Sequence, residues 1–220
     1  MCINRRTLYG RRWASESEKI LSDILDRPPP IFDKRIQYGQ GPQNFADMRF
    51  PDGLGPFPFM FVIHGGFWQS AYDLQHIGHI CTALTGKGII SCNLEYRRVG
   101  DRGGGWPGTF QDVGLATDYI METFSSDPHV DAGKVGVIGH SAGGHLALWL
   151  ASRHRIPKAS PLYNAQKHRV VRAVSLAGVS DLRTAWKQQL GNGAVARLIG
   201  RNAGPVSRPV RCGQSFRSPA

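Results

Sequence analysis

Apolar and polar positions follow two rhythms along this chain, and the changes of rhythm mark its elements. Near the start, Ile20, Leu21, Ile24 and Leu25 recur at helical spacing. Ser15 and Glu18 form a capping box ahead of them, and Pro28-Pro29-Pro30 closes the helix. KRIQYGQGPQNFADMRF, residues 34–50, holds two short strand-like runs around a Gly-Pro turn and predicts a hairpin. FPFMFVIHGG, residues 57–66, is almost continuously apolar and ends in glycines, the pattern of a strand buried on both faces. Leu74, Ile77, Cys81 and Leu84 predict a helix stopping near Gly86 and Gly88, and IISCNLEY, residues 89–96, the next strand. Thr109 with Asp112 opens a helix continued by Val113, Ala116, Ile120 and Phe124. KVGVIG (134–139) then reads as a strand, residues 142–154 as a helix and VVRAVSLAG (170–178) as a strand.

Strands alternating with helices predict an α/β fold: a mostly parallel sheet with helices on both faces. After Leu182 the rhythm weakens. TAWKQQLGNGAVARLIG leaves room for one or two short helices, and residues 201–220 carry no period at all. The expected division is 1–30 as a helix and Pro-rich linker, 31–200 as the α/β domain and 201–220 as a disordered basic tail.

Composition changes this picture little. A chain of 220 residues, 41% hydrophobic, suits one domain with a real core. The net charge of +11 invites a nucleic-acid reading, but Arg183, Lys187, Arg197, Arg201, Arg208, Arg211 and Arg217 all follow the last acid, Asp181. Spread through a Gly/Ser/Pro-rich segment, they describe a solvated tail rather than a binding face. No nucleic-acid partner is expected. No apolar run approaches the ~18 residues of a membrane span, and no signal peptide is recognisable at the start, so no membrane partner is expected either. Cys2, Cys81, Cys92 and Cys212 lack the spacing of a metal site or a disulfide framework and read as reduced thiols of a cytoplasmic protein. Oligomeric state is not readable.

The chemistry concentrates in VGVIGHSAGGHLALWLASRH, residues 135–154. Gly139-His140-Ser141-Ala142-Gly143 is a G-x-S-x-G elbow between an apolar strand and a helix. Glycines let the backbone turn sharply, which lifts the serine hydroxyl above the sheet edge as a nucleophile. The first N–H groups of the helix, that of Ala142 foremost, point where an oxyanion would form. His64-Gly65-Gly66-Phe67-Trp68, at the end of an earlier strand, is either a plain turn or the second half of the same device, with Gly65 and Gly66 as further donors. Phe67, Trp68 and Trp106 are walls of an apolar pocket or ordinary core aromatics.

HGGFW, NLEYRR, GGGWPGTFQDV and GHSAGGHLALWL, in this order, resemble α/β-hydrolase esterases of the hormone-sensitive-lipase and feruloyl/acetyl-esterase type, with kynurenine formamidases as relatives. The resemblance covers roughly residues 43–200. It implies Ser141 as nucleophile, Gly65, Gly66 and Ala142 as oxyanion donors, no metal, no organic cofactor and a small ester or amide substrate. It also implies an acid and then a histidine on loops after later strands, and neither segment finds a match.

Geometry narrows the choice of base. His154 lies about 20 Å down the helix from Ser141, and His168 precedes an upward strand. His145, one turn along, is placed to brace the elbow. His64 is expected to orient its turn, His140 to point away, and His76 and His79 to be solvated. Asp181 is the acid placed past a strand top after Ser141, as catalytic acid or as helix N-cap; Asp112 reads as a first-turn carboxylate. The expectation is therefore a shortened hydrolase with impaired catalysis. The basic tail suits an out-of-frame reading of GC-rich coding sequence. The alternative is a non-catalytic protein whose exposed edge strand, VVRAVSLAG, binds a partner.

Overall fold

A computed structural model of the chain describes residues 27–164 and 168–200. The expected helix over residues 16–25 and the expected disorder of 201–220 lie outside them. Six strands form one sheet: β1 (Lys34–Gln37), β2 (Phe45–Arg49), β3 (Phe57–Ile63), β4 (Ile90–Leu94), β5 (Val130–His140) and β6 (Arg172–Leu176). Their order is β1-β2-β4-β3-β5-β6. The hairpin predicted over 34–50 is present, β1 pairing antiparallel with β2 through Ile36 opposite Ala46. β2 meets β4 antiparallel, and the rest of the sheet is parallel.

The α-helices are α1 (Gly78–Thr85), α2 (Gly108–Phe124), α3 (Ala142–Ala151), α4 (Leu182–Lys187) and α5 (Leu190–Leu198). The helix expected from Leu74 onward begins four residues later than its apolar stripe, because Leu74–Ile77 winds as a 3-10 turn capped by Asp73. The helix after Ser141 likewise ends at Ala151, and Arg153–Arg155 tightens into a 3-10 turn. The weak pattern after Leu182 resolves into two short helices. Gln189, Gly191, Asn192 and Gly193 all have positive φ at the start of the second, so regular helix begins beyond them.

Alternation along β3 divides the core. Phe59, Phe61 and Ile63 face a large cluster with Phe110, Val113, Ile120, Leu146 and Leu150, which belong to α2 and α3. Val62 faces the other way, onto Ile77 and Cys81 of the α1 layer. The sheet is therefore covered on both faces, as its apolar strands require. Beyond the top of this sheet, loops after β3, β4 and β5 converge, where ligands bind in open α/β sheets.

Candidate active site

β5 ends at His140, and the chain turns through Ser141 into α3. Ser141 has φ 54° and ψ −117°. A non-glycine residue there costs about 1–3 kcal/mol and persists only when its surroundings enforce it. Three neighbours do so. The Ser141 N–H donates to Leu176 O at 2.8 Å, and Ser141 O accepts from Val179 N and His145 N, each at 3.2 Å. The glycines of the motif are steric necessities. A Cβ on Gly139 would lie 2.1 Å from Gly143 O, and one on Gly143 would lie 2.1 Å from Ile63 O.

The turn after β3 meets this elbow directly. A Cβ on Gly65 would stand 3.1 Å from Ser141 Cβ and 2.7 Å from His140 O. Gly66 has φ 104°, and a side chain there would enter Tyr72. Phe67 and Trp68 continue in the left-handed region with φ 52° and 57°. Backbone bonds stitch this strained turn to the loop after β4: Val99 N donates to Trp68 O at 2.7 Å and Ser70 N to Val99 O at 3.0 Å.

His64 holds the turn from below. Its Nδ1 lies 2.8 Å from Gly65 O, and its Nε2 lies 3.1 Å from Glu95 Oε1. A carbonyl can only accept, so Nδ1 carries a proton and donates. A trans peptide points its C=O and the next N–H in opposite directions. Fixing Gly65 O against the imidazole thus turns the Gly66 N–H away from it. The ring is stacked on Tyr96 with centroids 4.3 Å apart, and the Tyr96 hydroxyl donates to His64 O at 2.9 Å.

Glu95 is the hub that the motif reading missed. Its carboxylate also accepts from Leu74 N at 3.1 Å and Tyr96 N at 3.0 Å, and lies 3.3 Å from Arg98 Nη1. Burial pushes this carboxyl up, but the His64 hydrogen bond and the charges of His64 and Arg98 outweigh burial and hold it below its usual range. Arg98 is held in turn by Asp101 through Nε at 3.1 Å. The available signal was an acid ending an otherwise apolar strand with arginines two and three residues on. A buried acid of that kind must be paired.

Glu95→Ala is expected to cost about 3–5 kcal/mol, because it leaves His64 Nε2 and the buried N–H groups of Leu74 and Tyr96 without their acceptor. Urea denaturation measures this. A depressed carboxyl stabilises the fold above its unfolded value of 4.5 and loses that contribution as pH falls through the lower folded value. Glu95→Gln should therefore flatten the acid limb of the stability curve below about pH 4.5.

The other site residues divide. Ala142 is buried at the first position of α3, beside Ser141. Phe67 is half-buried, and its ring packs on the Gly191 backbone. Trp106 is half-buried against Phe110, centroids 5.3 Å apart. Trp68 is not a pocket wall: it is 1% exposed and meets the His145 ring edge-on at 5.5 Å, supporting the turn from inside. Asp181 caps α4, accepting from Arg183 N, Thr184 N and the Thr184 hydroxyl, because the short helix offers unpaired N–H groups beside it.

Asp112 is more than a first-turn carboxylate. It is 2% exposed and takes Arg97 N, Nε and Nη2 at 2.6–2.9 Å, clamping the glycine-rich loop to α2. His76 and His79 are half-buried rather than solvated. His76 lies 5.9 Å from the His64 ring; burial, with repulsion from His64 and His140, lowers its pKa. His145 is 1% exposed between Trp68 and Phe110, the bracing position expected of it. Among the described residues no cluster of three or more His, Cys, Asp or Glu side chains could hold a metal. Among them no helix is long and apolar enough to cross a membrane.

A mostly parallel sheet covered on both faces, with a strained serine elbow abutting a histidine–glycine–glycine turn, is the α/β-hydrolase fold. Residues 47–209 match the BD-FAE family, and the chain belongs to that family. The chain is 30% identical over 156 residues to the probable carboxylic ester hydrolase LipM of Mycobacterium tuberculosis, covering 68% of this chain and 35% of that protein. It is 36% identical over 94 residues to neutral cholesterol ester hydrolase 1 of Rattus norvegicus, covering 41% and 22%. The chain thus matches about a third or less of the length of these two relatives. Esterase B from Lactobacillus rhamnosis, inhibited by a tributyrin phosphonate, superposes with a TM-score of 0.67 at 19% identity, over 89% of this chain and 66% of that one. A truncated carbohydrate esterase from gut microbiota gives 0.62 at 18%, over 79% and 68%.

Proposed function

We propose that this chain carries the acyl-transfer centre of a serine esterase acting on small carboxylic esters. Ser141 attacks the carbonyl carbon, its hydroxyl proton passes to solvent water because no histidine of this chain is assigned as its base, so turnover is impaired, and the alkoxide leaves with a proton to give an acyl-serine; water then releases the acid. The N–H groups of Gly65, Gly66 and Ala142 receive the negative oxygen. The observation that supports this reading is the close approach of Gly65 to Ser141, where a Cβ added to Gly65 would stand 3.1 Å from Ser141 Cβ: two separate strand ends bring a glycine turn against a strained serine backbone. Strain of this kind concentrates at functional sites. His64 acts here as a positioning residue, held by Glu95, and the carboxylic-ester class rests on the names of the relatives above.

The test is a p-nitrophenyl ester series from acetate to octanoate, followed for turnover and for a burst of one p-nitrophenol per chain. The reading expects saturable hydrolysis with a preference for short acyl groups. A folded chain indistinguishable from buffer on every ester would contradict it.

A second reading is favoured by one observation. Val171, Val174 and Leu176 are 57%, 43% and 37% exposed on and beside β6, which among the described residues pairs only with β5. An apolar edge of this kind serves association. Under this reading the chain binds a partner and does not turn over esters, and a folded chain that self-associates without hydrolysis would favour it.

A further inference from the structure

The two edges of the sheet meet solvent differently. β1 carries the exposed charges Lys34 and Arg35, and charged side chains on an edge strand oppose pairing with another sheet. β6 carries a single charge, Arg172, and its Val174 and Leu176 are exposed. On the α1 face, exposure rises outward along one row of the sheet: Val62 in β3 is 0% exposed, Ile138 in β5 is half-buried and Val174 in β6 is 43% exposed. The apolar face therefore runs to the edge of the described sheet.

The β6 backbone is directional as well. Leu176 O accepts from Ser141 N at 2.8 Å, with His140 opposite Leu176, so Leu176 bonds towards β5. Successive residues of a strand turn their N–H and C=O groups to opposite sides. Arg172 and Val174 thus bond inward with Leu176, and Ala173 and Ser175 turn theirs to the open edge. Among the described residues no backbone group pairs with that edge.

We infer that β6 pairs antiparallel with β6 of a second copy of this chain, about a twofold axis at Val174. In this register Ala173 stands opposite Ser175 of the partner subunit and exchanges two backbone hydrogen bonds with it, and the twofold repeats the pair. Val174 meets Val174 of the partner subunit as the closer, non-hydrogen-bonded pair, their Cβ atoms about 4.5–5.5 Å apart. Arg172 stands opposite Leu176 of the partner subunit. The two arginines lie about 14 Å apart along the seam, beyond the screening length of ~8 Å at physiological salt. The strand is thus complementary to itself in backbone, apolar contact and charge. Pairing β6 with β1 of another copy would instead set a strand bearing Arg172 against one bearing Lys34 and Arg35, and would leave free edges at both ends, whereas a twofold closes. One short strand buries less than the ~800 Å² per partner of a stable interface, so the dimer is weak, with a Kd in the micromolar range. The dimer rests on the open edge of the partner-binding reading above and, unlike that reading, permits turnover at Ser141.

Sedimentation velocity of the full chain from about 1 to about 200 μM tests this. The expected result is a monomer–dimer equilibrium without larger species, tightening as salt screens the +11 charge that each copy carries. Ala173→Pro removes an outward N–H and no bond to β5. It should keep the parent's circular dichroism and dimerise at least about tenfold more weakly. In a background of Cys2→Ser and Cys212→Ser, Val174→Cys should cross-link across the twofold on mild oxidation, whereas Arg172→Cys, about 14 Å from its counterpart, should not. A chain monomeric throughout, open-ended association, a folded Ala173→Pro that dimerises like the parent, or equal cross-linking of the two cysteine variants would each overturn the inference. The p-nitrophenol burst, read on the same samples, judges the partner-binding reading separately: a dimer that turns over esters refutes that reading and leaves the dimer standing.

Discussion

Ser141→Ala should abolish the burst of p-nitrophenol and the acyl-enzyme it reports, while leaving the thermal transition in place or raising it. Removing the nucleophile removes the covalent route, so only binding and oxyanion contacts remain to accelerate attack by water. The stability half of the prediction is equally specific. The serine side chain makes none of the contacts that hold the elbow; its backbone does, through Leu176, Val179 and His145. Alanine keeps the Cβ and the same backbone requirement. Loss of activity with an unchanged transition is therefore the signature of a chemical role. Activity within a few-fold of the parent would mean that another group performs the attack.

Gly143→Ala should prevent the domain from reaching its native packing. The Cβ it adds would lie 2.1 Å from Ile63 O and 2.4 Å from His64 O, both backbone atoms of the central strand and the turn after it. Neither can move as a flexible side chain would. Relief requires α3 to shift off the sheet, and α3 contributes Ala142, Leu146, Ala147 and Leu150 to the core. Overpacking against yielding neighbours costs about 1–3 kcal/mol; against fixed backbone the cost is expected to exceed this, which is a large share of a small domain's total stability. A missing or broadened thermal transition is the outcome expected. Gly88→Ala is the control: no atom lies within 4 Å of its Cβ position, and the strain comes only from its φ of 75°. It should cost about 1–2 kcal/mol and remain cooperative.

Much of this architecture is written in local pattern. β3 and β5 are apolar runs closed by glycine, and α1 and α3 follow them, so the parallel layer and its crossover helices are readable directly. The elbow was legible for a different reason: its glycines are demanded by backbone contacts within a few residues of Ser141. What sequence spacing does not carry is contact between distant elements. The Glu95–His64 pair joins residues 31 apart, and only the side-by-side packing of β3 and β4 shows that the acid at one strand end serves the histidine at the other. Trp68 looks like a pocket wall because it follows Gly65-Gly66. Its positive φ, invisible in the sequence, turns the ring into the core instead. Asp181 was open between two roles, and the register of a six-residue helix decides for the cap.

The clamp formed by Arg97 and Asp112 shows the same limit. From the sequence Asp112 reads as a first-turn carboxylate, and nothing in the spacing ties it to Arg97. Packed together, they fix the loop that Trp68 and Ser70 bond to through Val99. The strained turn beside Ser141 is thus held from two sides, by His64 beneath and by this loop alongside. Preorganisation of that kind is what electrostatic stabilisation of an oxyanion requires.

Intact-mass and peptide-level spectrometry after exposure to a fluorophosphonate tests the central claim most directly. The account predicts one phosphonyl adduct per folded chain, on the peptide containing Ser141, absent after heat denaturation and absent from Ser141→Ala. An adduct on another residue, or a folded chain left wholly unmodified, would contradict it.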